Sequence, residues 1–214
     1  MTMEQPNTET PDRELIYVGD PMCSWCWGIA PELDQLTAAH PELPLRIVVG
    51  GLRPGPNAQE VGPDLAGYLA HHWEEVERRS GQPFDRTLLD RHGWLYDTEP
   101  ACRAVVVMRE LAPHETFRFF KRLQRAFYAE GRPVWDPEAF GELIDGFDVD
   151  PGEFLDAFGS QDSVKATWLD FSLARSWGIN GFPTIVLRQG STGQIIARGY
   201  TTADDMELVI GSLI

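Results

Sequence analysis

Cysteines carry the clearest chemical signal in this sequence of 214 residues, which contains three of them: Cys23, Cys26 and Cys102. The first two are spaced as Cys-x-x-Cys, in Cys23-Ser24-Trp25-Cys26. On a helix that spacing places both thiols on one face, one turn apart, so that they can close into a small disulfide ring. Three cysteines cannot form a disulfide framework, and a reducing compartment is therefore predicted. In that setting the motif indicates metal binding or redox chemistry rather than a structural cross-link.

The position of Cys23 predicts that it is the nucleophile of the pair. It falls where a strand expected over residues 15–18 ends and a helix expected over residues 23–40 begins. The unpaired N–H groups and the positive end of the helix macrodipole favour the thiolate, which is the attacking form. A free thiol with a pKa of about 8.5 is only about 3% ionised at about pH 7, and lowering that pKa by about three units would ionise nearly all of it. We therefore expect Cys23 to attack a disulfide and Cys26 to resolve the mixed disulfide.

A zinc site is the structural alternative for the Cys-x-x-Cys motif. Zinc needs four ligands, which usually come from a second pair of cysteines or histidines at short spacing. The remaining candidates are Cys102 and five scattered histidines, none of which repeats the pattern: His40, His71, His72, His92 and His114. Redox chemistry is therefore favoured over a zinc-stabilised binding module, and neither a metal nor a cofactor beyond the cysteine pair is expected.

Several other residues that could take part in the reaction have both a structural and a functional interpretation. Cys102 begins a predicted helix, where a free cysteine is most often a packed small hydrophobe, but it is also a candidate accessory thiol that exchanges with the main pair. Pro183 precedes a predicted strand; cis bonds make up about 5–6% of X–Pro bonds, and a trans proline is harmless at a strand entry. Trp25 and Trp27 flank the nucleophile and suggest an apolar docking surface, although core packing explains Trp27 equally well.

Composition and charge exclude several classes of protein. Hydrophobic residues make up 43% of the chain, which is ordinary for a globular protein with a core of its own. The 33 acidic and 18 basic residues give a net charge of −15, which repels nucleic acids and anionic lipid. No run of 18 apolar residues occurs, and the start of the chain lacks the basic and apolar parts of a signal peptide. We therefore expect a cytoplasmic protein with no nucleic-acid or membrane partner.

The order of predicted elements describes an α/β protein with a helical insert. Apolar runs at 15–18 and 45–49 flank the helix at 23–40, which forms a βαβ unit with a kink expected at Pro31. Residues 54–162 contain no convincing strand, and helices are predicted over 63–80, 85–91, 99–112, 115–130, 137–146 and 151–158. Asp136 and Asp150 are the predicted N-caps of the last two.

The remaining elements return to mixed structure. A helix over 164–177 leads to a hairpin with strands at 185–187 and 195–197, and a final helix is capped by Thr202 together with Asp205. Residues 1–13 are predicted to be a flexible leader.

Three stretches carry a resemblance to a known family. They are Asp-Pro-Met-Cys-Ser-Trp-Cys-Trp-Gly at 20–28, Glu-Pro-Ala-Cys-Arg-Ala at 99–104 and Gly-Phe-Pro-Thr at 181–184. The chain resembles the DsbA-like branch of the thioredoxin superfamily over about residues 14–214, and more narrowly its cytosolic members that are predicted protein-disulfide isomerases. The resemblance implies a thioredoxin fold, with a central mixed sheet flanked by helices, over 14–53 and 163–214. An all-helical insertion would occupy 54–162.

The resemblance also implies roles for particular residues. Pro183 would be cis and lie against the dithiol, and the backbone of Phe182 would pair with a substrate chain beside Trp25. Two features depart from the family. Its periplasmic members act as oxidants and have signal peptides, and thioredoxins carry a buried acid where this chain has Tyr17. The resemblance leaves open whether Asp20 replaces that acid.

The sequence therefore predicts a cytosolic thiol–disulfide oxidoreductase of the reductase or isomerase type. Its partners would be protein or peptide disulfides and thiols, with glutathione or a dithiol protein as electron donor, and its oligomeric state is open. A glutathione-dependent transferase or isomerase, similar to the kappa-class transferases and the hydroxychromene-carboxylate isomerases, is the second hypothesis. Those enzymes typically use a single Ser or Cys, so the intact Cys26 argues against it.

Overall fold

A computed structural model describes residues 11–91 and 93–213 of the chain. Six strands lie in these ranges: β1 (Arg13–Gly19), β2 (Leu45–Val49), β3 (Gln59–Glu60), β4 (Leu95–Tyr96), β5 (Thr184–Gln189) and β6 (Thr192–Arg198). The same ranges contain nine α-helices: α1 (Ser24–Gly28), α2 (Ala30–Ala39), α3 (Pro63–Ser80), α4 (Glu99–Leu111), α5 (Thr116–Tyr128), α6 (Pro137–Leu143), α7 (Pro151–Gly159), α8 (Gln161–Ser176) and α9 (Ala203–Gly211). None of these helices is long and apolar enough to cross a bilayer.

Four strands form a mixed sheet in the order β2-β1-β5-β6. β1 runs parallel to β2 and antiparallel to β5, and β5 and β6 form a hairpin. The predicted βαβ unit and the predicted hairpin are both confirmed. β1 is buried at every position after its first, which is what a continuous apolar run predicts for an inner strand covered on both faces.

The expected leader is shorter than predicted at its C-terminal end. β1 begins at Arg13, and the carbonyl of Asp12 accepts a hydrogen bond from the backbone N–H of Gly190 at 2.7 Å. Residues 11–13 are therefore attached to the sheet, because β5 offers them a hydrogen-bonded neighbour. Residues 1–10 of the predicted leader lie outside the described part of the chain.

The first helix is interrupted earlier than expected. The predicted single helix over 23–40 is divided at Ile29 into α1 and α2, and Pro31 lies in the first turn of α2. A proline in the first turn costs no intrahelical hydrogen bond, because the N–H groups there have no partner inside the helix. The kink predicted at Pro31 is therefore replaced by the start of a new helix one residue before it, at Ala30.

The helical block differs from the expectation in two details. β3 and β4 form a short antiparallel pair, although no strand was expected there. The helix predicted over 85–91 does not form, because the Asp85 side chain accepts the N–H of Thr87 at 2.8 Å and makes a local turn instead. The predicted caps at Asp136 and Asp150 are confirmed, since each accepts an N–H from the first turn of its helix.

One buried cluster runs from the sheet into the helical block, and it contains Leu15, Cys26, Trp73, Phe127 and Met206 among others. The proposed division into 14–53 with 163–214 and 54–162 falls two residues into α8. It stays a proposal, because core side chains on both sides of the division belong to the same cluster.

A charged contact ties the helical block to the sheet. On α4, Arg109 Nη1 donates to Asp170 Oδ2 on α8 at 2.7 Å and to the carbonyl of Ile47 on β2 at 2.8 Å. The same carboxylate oxygen accepts the N–H of Val49 at 3.0 Å. Because these groups are hydrogen-bonded to one another, the partly buried charges are satisfied. The contact holds α4 in place relative to β2, and so positions the start of α4 near the active-site loops.

Candidate active site

A turn built by Asp20 connects β1 to α1. Its carboxylate accepts the N–H of Met22 at 2.8 Å and that of Leu52 at 2.6 Å, and its carbonyl accepts the N–H of Cys23 at 3.0 Å. The carboxylate therefore shapes the turn and also joins it to the loop after β2. As a result, Cys23 becomes the N-cap residue of α1, at the strand-to-helix boundary that the sequence predicts.

Cys23 lies against the loop that precedes β5. Its side chain is only 5% exposed, and its Sγ donates to the carbonyl oxygen of Phe182 at 3.6 Å. The peptide bond between Phe182 and Pro183 is cis. The structure therefore brings together the first cysteine of the motif and the Phe182-Pro183 pair, which is 159 residues away in sequence.

A glycine behind this contact provides the space for Phe182. A Cβ atom added to Gly50 would lie 2.1 Å from Cε1 of the Phe182 ring, so any other residue there would displace that ring. No role for Gly50 was predicted from the sequence. The sequence feature that could have indicated this contact is the Gly50-Gly51 pair directly after a strand, because glycines at such a place often allow another segment to approach the backbone closely.

Cys26 lies one turn further along α1 and is completely buried, with 0% of its surface exposed. Burial raises its pKa well above the ordinary value, and the neighbouring thiol of Cys23 raises it further. The Tyr17 hydroxyl and the backbone of Asp20 act in the opposite direction, because hydrogen bonds to sulfur favour the thiolate. The two thiols of the motif thus occupy different surroundings, one facing a backbone carbonyl and the other enclosed.

Three buried tyrosines surround this pair, and sequence reasoning noted only Tyr17. Tyr96 on β4 donates from its hydroxyl to the carbonyl of Met22, and burial raises its pKa. Tyr128 at the end of α5 stacks on Trp27, with ring centroids 6.4 Å apart. Tyr96 and Tyr128 come from the helical block, so that block supplies one wall of the site. No periodic pattern in the sequence marks them as neighbours of the cysteines.

Four side chains form a rim on the outer side of the motif, three of them half-buried and one exposed: Trp25, His72, Tyr200 and the exposed Arg79. The Trp25 ring lies 5.8 Å from that of His72 and 6.2 Å from that of Tyr200. The exposed guanidinium of Arg79 lies over both rings, 6.0 Å from that of Trp25 and 5.4 Å from that of Tyr200. We call these four residues the aromatic rim; they offer stacking surface and one positive charge beside the motif.

Cys102 lies in the first turn of α4 and is completely buried. Burial raises its pKa well above the ordinary value, and the adjacent Asp20 carboxylate raises it further. These surroundings disfavour the thiolate and therefore favour the interpretation of Cys102 as a packed residue. Within 11–91 and 93–213, no group of three or more His, Cys, Asp or Glu side chains could hold a metal ion.

The chain matches a known protein family over most of its length. A model of the DSBA-like thioredoxin domain matches residues 14–210. The chain belongs to this family. The predicted fold is thereby confirmed as a DSBA-like thioredoxin fold, with a mixed four-stranded sheet and a helical insert.

Solved structures of DSBA-like proteins are similar to this chain over nearly its whole length. A "putative protein disulfide isomerase" from Nitrosomonas europaea is 32% identical, with a TM-score of 0.86 that covers 94% of this chain and 96% of that one. The cytosolic disulfide reductase DsbM from Pseudomonas aeruginosa is 27% identical, with a TM-score of 0.78 over 94% of this chain and 98% of its own. DsbM has also been solved with glutathione.

Curated relatives are more distant from this DSBA-like chain. The ClpXP adapter protein SpxH from Bacillus licheniformis is 24% identical over 183 residues, which are 83% of this chain and 59% of that protein. The SpxH of Shouchella clausii is 23% identical over 57% of its length. The chain thus spans a little under three fifths of the length of these two relatives.

Proposed function

We propose that this protein is a thiol–disulfide oxidoreductase of the reductase or isomerase type, in which Cys23 attacks and Cys26 resolves. The observation that supports this most directly is the position of the Cys23 thiol at the start of α1, against the carbonyl of Phe182. Membership of a family of DSBA-like oxidoreductases supports the same chemistry. The structural relatives named as a disulfide isomerase and a disulfide reductase agree with it.

The proposed reaction consists of two exchanges. The Cys23 thiolate attacks one sulfur of a substrate disulfide, the substrate S–S bond breaks, and the leaving thiolate takes up a proton. Cys26 then loses its proton and attacks Sγ of Cys23, which releases the second substrate thiol and leaves a Cys23–Cys26 disulfide. The substrate gains two electrons and the protein loses two. Two molecules of glutathione, or one dithiol protein, return these electrons and are themselves oxidised to a disulfide.

Substrate binding is proposed at the Phe182 carbonyl and the aromatic rim. The carbonyl accepts from the Cys23 thiol, a contact that is lost when this thiol ionises. A backbone N–H of an extended substrate chain can then take its place, as in the addition of a strand to a sheet. Pro183 has no N–H of its own to compete for the chain, and Trp25 offers a half-buried ring beside the nucleophile.

The proposal extends to the electron donor and to the cellular compartment of the protein. Glutathione is the favoured electron donor, because the related DsbM has been solved with it. The cytosolic location of DsbM supports a cytoplasmic location for this protein. A glutathione-rich compartment keeps such a pair reduced, which favours reduction or isomerisation over net oxidation.

Insulin reduction and the refolding of scrambled ribonuclease test the proposal, with glutathione as the donor. The wild type is expected to accelerate both assays, and Cys23→Ser is expected to be inactive. Cys26→Ser should accumulate mixed disulfides on Cys23, which mass spectrometry would identify. Equal rates for the wild type and Cys23→Ser would refute the proposal. Glutathione conjugation to a model electrophile that survives in Cys26→Ser would instead indicate a glutathione-dependent transferase.

A further inference from the structure

Arg79 brings a positive charge to the aromatic rim beside the Cys-x-x-Cys motif. Its exposed guanidinium lies 6.0 Å from the centroid of the Trp25 ring and 5.4 Å from that of the Tyr200 ring. Within residues 11–91 and 93–213, no carboxylate oxygen lies within 4.0 Å of its nitrogens. Because acidic residues outnumber basic ones in this chain, a guanidinium held beside the motif without a carboxylate partner calls for an explanation.

The end of α3 that carries Arg79 is fixed against α1. A Cβ atom added to Gly28 would lie 3.3 Å from the Cβ atom of Ser80, so the two helices are in contact where α3 ends. The indole Nε1 of Trp27 donates to the carbonyl of Pro83 at 3.1 Å, which connects the chain after α3 to the same helix. Arg79 directly precedes Ser80 and is therefore held beside α1, the helix that begins at the nucleophile.

Tyr200, which supplies the second ring, is fixed beside the cis-proline loop. The backbone N–H of Gly199, which directly precedes it, donates to the carbonyl of Pro183 at 2.8 Å. Glu32 on α2 accepts the Tyr200 hydroxyl at 3.0 Å and the backbone N–H of Ala203 at 2.8 Å. Both oxygens of the Glu32 carboxylate are thereby engaged, and the ring of Tyr200 is held in place next to the loop.

The Arg79 guanidinium thus lies over one ring from the motif and one ring next to the cis-proline loop, the two segments that meet at Cys23. A guanidinium has five N–H donors in one plane and no acceptor, and ring faces attract its charge without using these donors. The planar arrangement of the donors fits a carboxylate, which can accept two parallel hydrogen bonds from it. Peptides that contain disulfides carry this anion on Asp and Glu side chains and at the C-terminus.

We propose that Arg79, supported by Trp25 and Tyr200, is a specificity-determining residue that selects disulfide substrates with a carboxylate close to the reacting sulfur. This inference rests on the oxidoreductase function proposed above and names the substrate class of that site. Arg79 takes part in binding only: it exchanges no proton and forms no bond to sulfur. The carboxylate belongs either to an acidic residue beside the substrate cysteine or to glutathione, and separate substrates distinguish these two sources.

Three small disulfides of similar size test this selection: dithiodipropionate is anionic, hydroxyethyl disulfide is neutral and cystamine is cationic. Each is mixed in excess with the prereduced protein at low salt, and the loss of the free Cys23 thiol is followed by alkylation and mass spectrometry. In Arg79→Gln we expect the ratio of the anionic rate to the neutral rate to fall about fivefold, which is what the stronger exposed ion pairs contribute. A change in the acidity of Cys23 would alter both rates alike and would cancel from this ratio.

Arg78→Gln is the matched control, because it removes the same charge from the neighbouring residue of α3. Arg78 is also exposed, but it lies beside His71 and Glu74. In this variant the ratio should stay within about twofold of wild type, as for most surface substitutions. Raising the ionic strength should narrow the difference between wild type and Arg79→Gln, because salt screens an exposed ion pair. A purely structural role of Arg79 would not produce this salt dependence.

Oxidised glutathione and two peptide disulfides, with Glu or Gln beside the cysteine, identify the source of the carboxylate. A loss of rate in Arg79→Gln that is confined to glutathione would assign the site to glutathione. A loss confined to the Glu peptide would assign it to acidic peptide and protein substrates.

Failure of this inference is distinguishable from failure of the proposed function. An unchanged ratio in Arg79→Gln, or an equal fall in Arg78→Gln, would overturn the role of Arg79 and leave exchange by Cys23 intact. Equal slowing with all three small disulfides would also overturn it, because the substrate charge would then make no difference. A wild-type protein whose Cys23 reacts with none of these disulfides would refute the proposed function itself.

Discussion

Two helices begin on either side of Asp20, and each carries a cysteine near its N-terminus. Cys23 is the N-cap residue of α1, and Cys102 lies in the first turn of α4. The first contacts the carbonyl of Phe182 beside the half-buried Trp25, whereas the second is completely enclosed and lies next to the Asp20 carboxylate. Two cysteines at the start of a helix therefore differ in their access and in their charged neighbours.

Access and local charge account for the difference. The helix macrodipole acts at the start of both helices, but it is worth about 1 kcal/mol at most sites. Burial and an adjacent carboxylate both oppose ionisation, and at Cys102 both act together. The same Asp20 carboxylate is thus a structural support on the α1 side and an obstacle to ionisation on the α4 side.

The largest expected effect contrasts the two cysteines directly. Cys23→Ser should lower the rate of insulin reduction by at least about a thousandfold, since removal of a nucleophile costs most of the chemistry. Cys102→Ala should keep that rate within about twofold, because its thiol takes no part in the exchange. Loss of activity in a folded Cys102→Ala protein would restore the interpretation of Cys102 as an accessory thiol and break the comparison.

A second contrast uses the two neighbouring glycines after β2. Gly50→Ala should displace the Phe182 ring, since the new Cβ would lie 2.1 Å from it, and should lower the activity by about tenfold or more. Gly51 faces the core instead: its φ is +70°, and a new Cβ would lie 2.9 Å from the Phe171 ring. Gly51→Ala should therefore lower the free energy of unfolding by about 1–3 kcal/mol.

Both glycine variants are tested by the rate of insulin reduction and by denaturant-induced unfolding. Gly141→Ala, on α6, is a control, because its Cβ would meet no atom within 4 Å. It should leave the activity unchanged. If Gly50→Ala keeps full activity, the packing of Phe182 on Gly50 has no role in the proposed substrate binding.

Much of this arrangement is local and could be predicted from the sequence. A buried strand followed by Asp20 and the Cys-x-x-Cys motif predicts the strand-to-helix boundary that forms the site. The caps at Asp136, Asp150 and Thr202 depend on residues within one turn of the chain. Such features are encoded by neighbours in sequence, so the pattern alone is sufficient.

Other parts depend on contacts between distant segments and leave no local pattern. Gly50 meets Phe182, and Tyr128 stacks on Trp27, across about a hundred residues or more in each case. At Asp85 the prediction was wrong for a local reason. The sequence predicts a helix there, but the Asp85 side chain accepts the N–H of Thr87 and forms a turn instead. For Cys102 the prediction was partly confirmed: its helix was predicted from the sequence, but the Asp20 carboxylate beside it was not.

The smallest expected effect concerns the carboxylate between the two cysteines. Burial raises the pKa of Asp20, although the N–H groups of Leu52 and Met22 lower it. A carboxyl whose pKa is higher in the folded than in the unfolded state makes folding less favourable as the pH rises from the unfolded value, near 4, through the folded value. Asp20→Asn removes this contribution, so its stability relative to wild type should improve as the pH rises.

Urea unfolding of both proteins at about pH 5 and about pH 8 measures this difference. The variant loses part of the hydrogen bonding to Met22 and Leu52 at every pH. The informative quantity is therefore how the difference in free energy of unfolding between variant and wild type changes with pH, and not the size of that difference at one pH. Asp162→Asn is the matched control, because it makes the same substitution at a carboxylate that is 92% exposed. Parallel behaviour of Asp20→Asn and wild type would mean that the Asp20 carboxylate titrates like an exposed one.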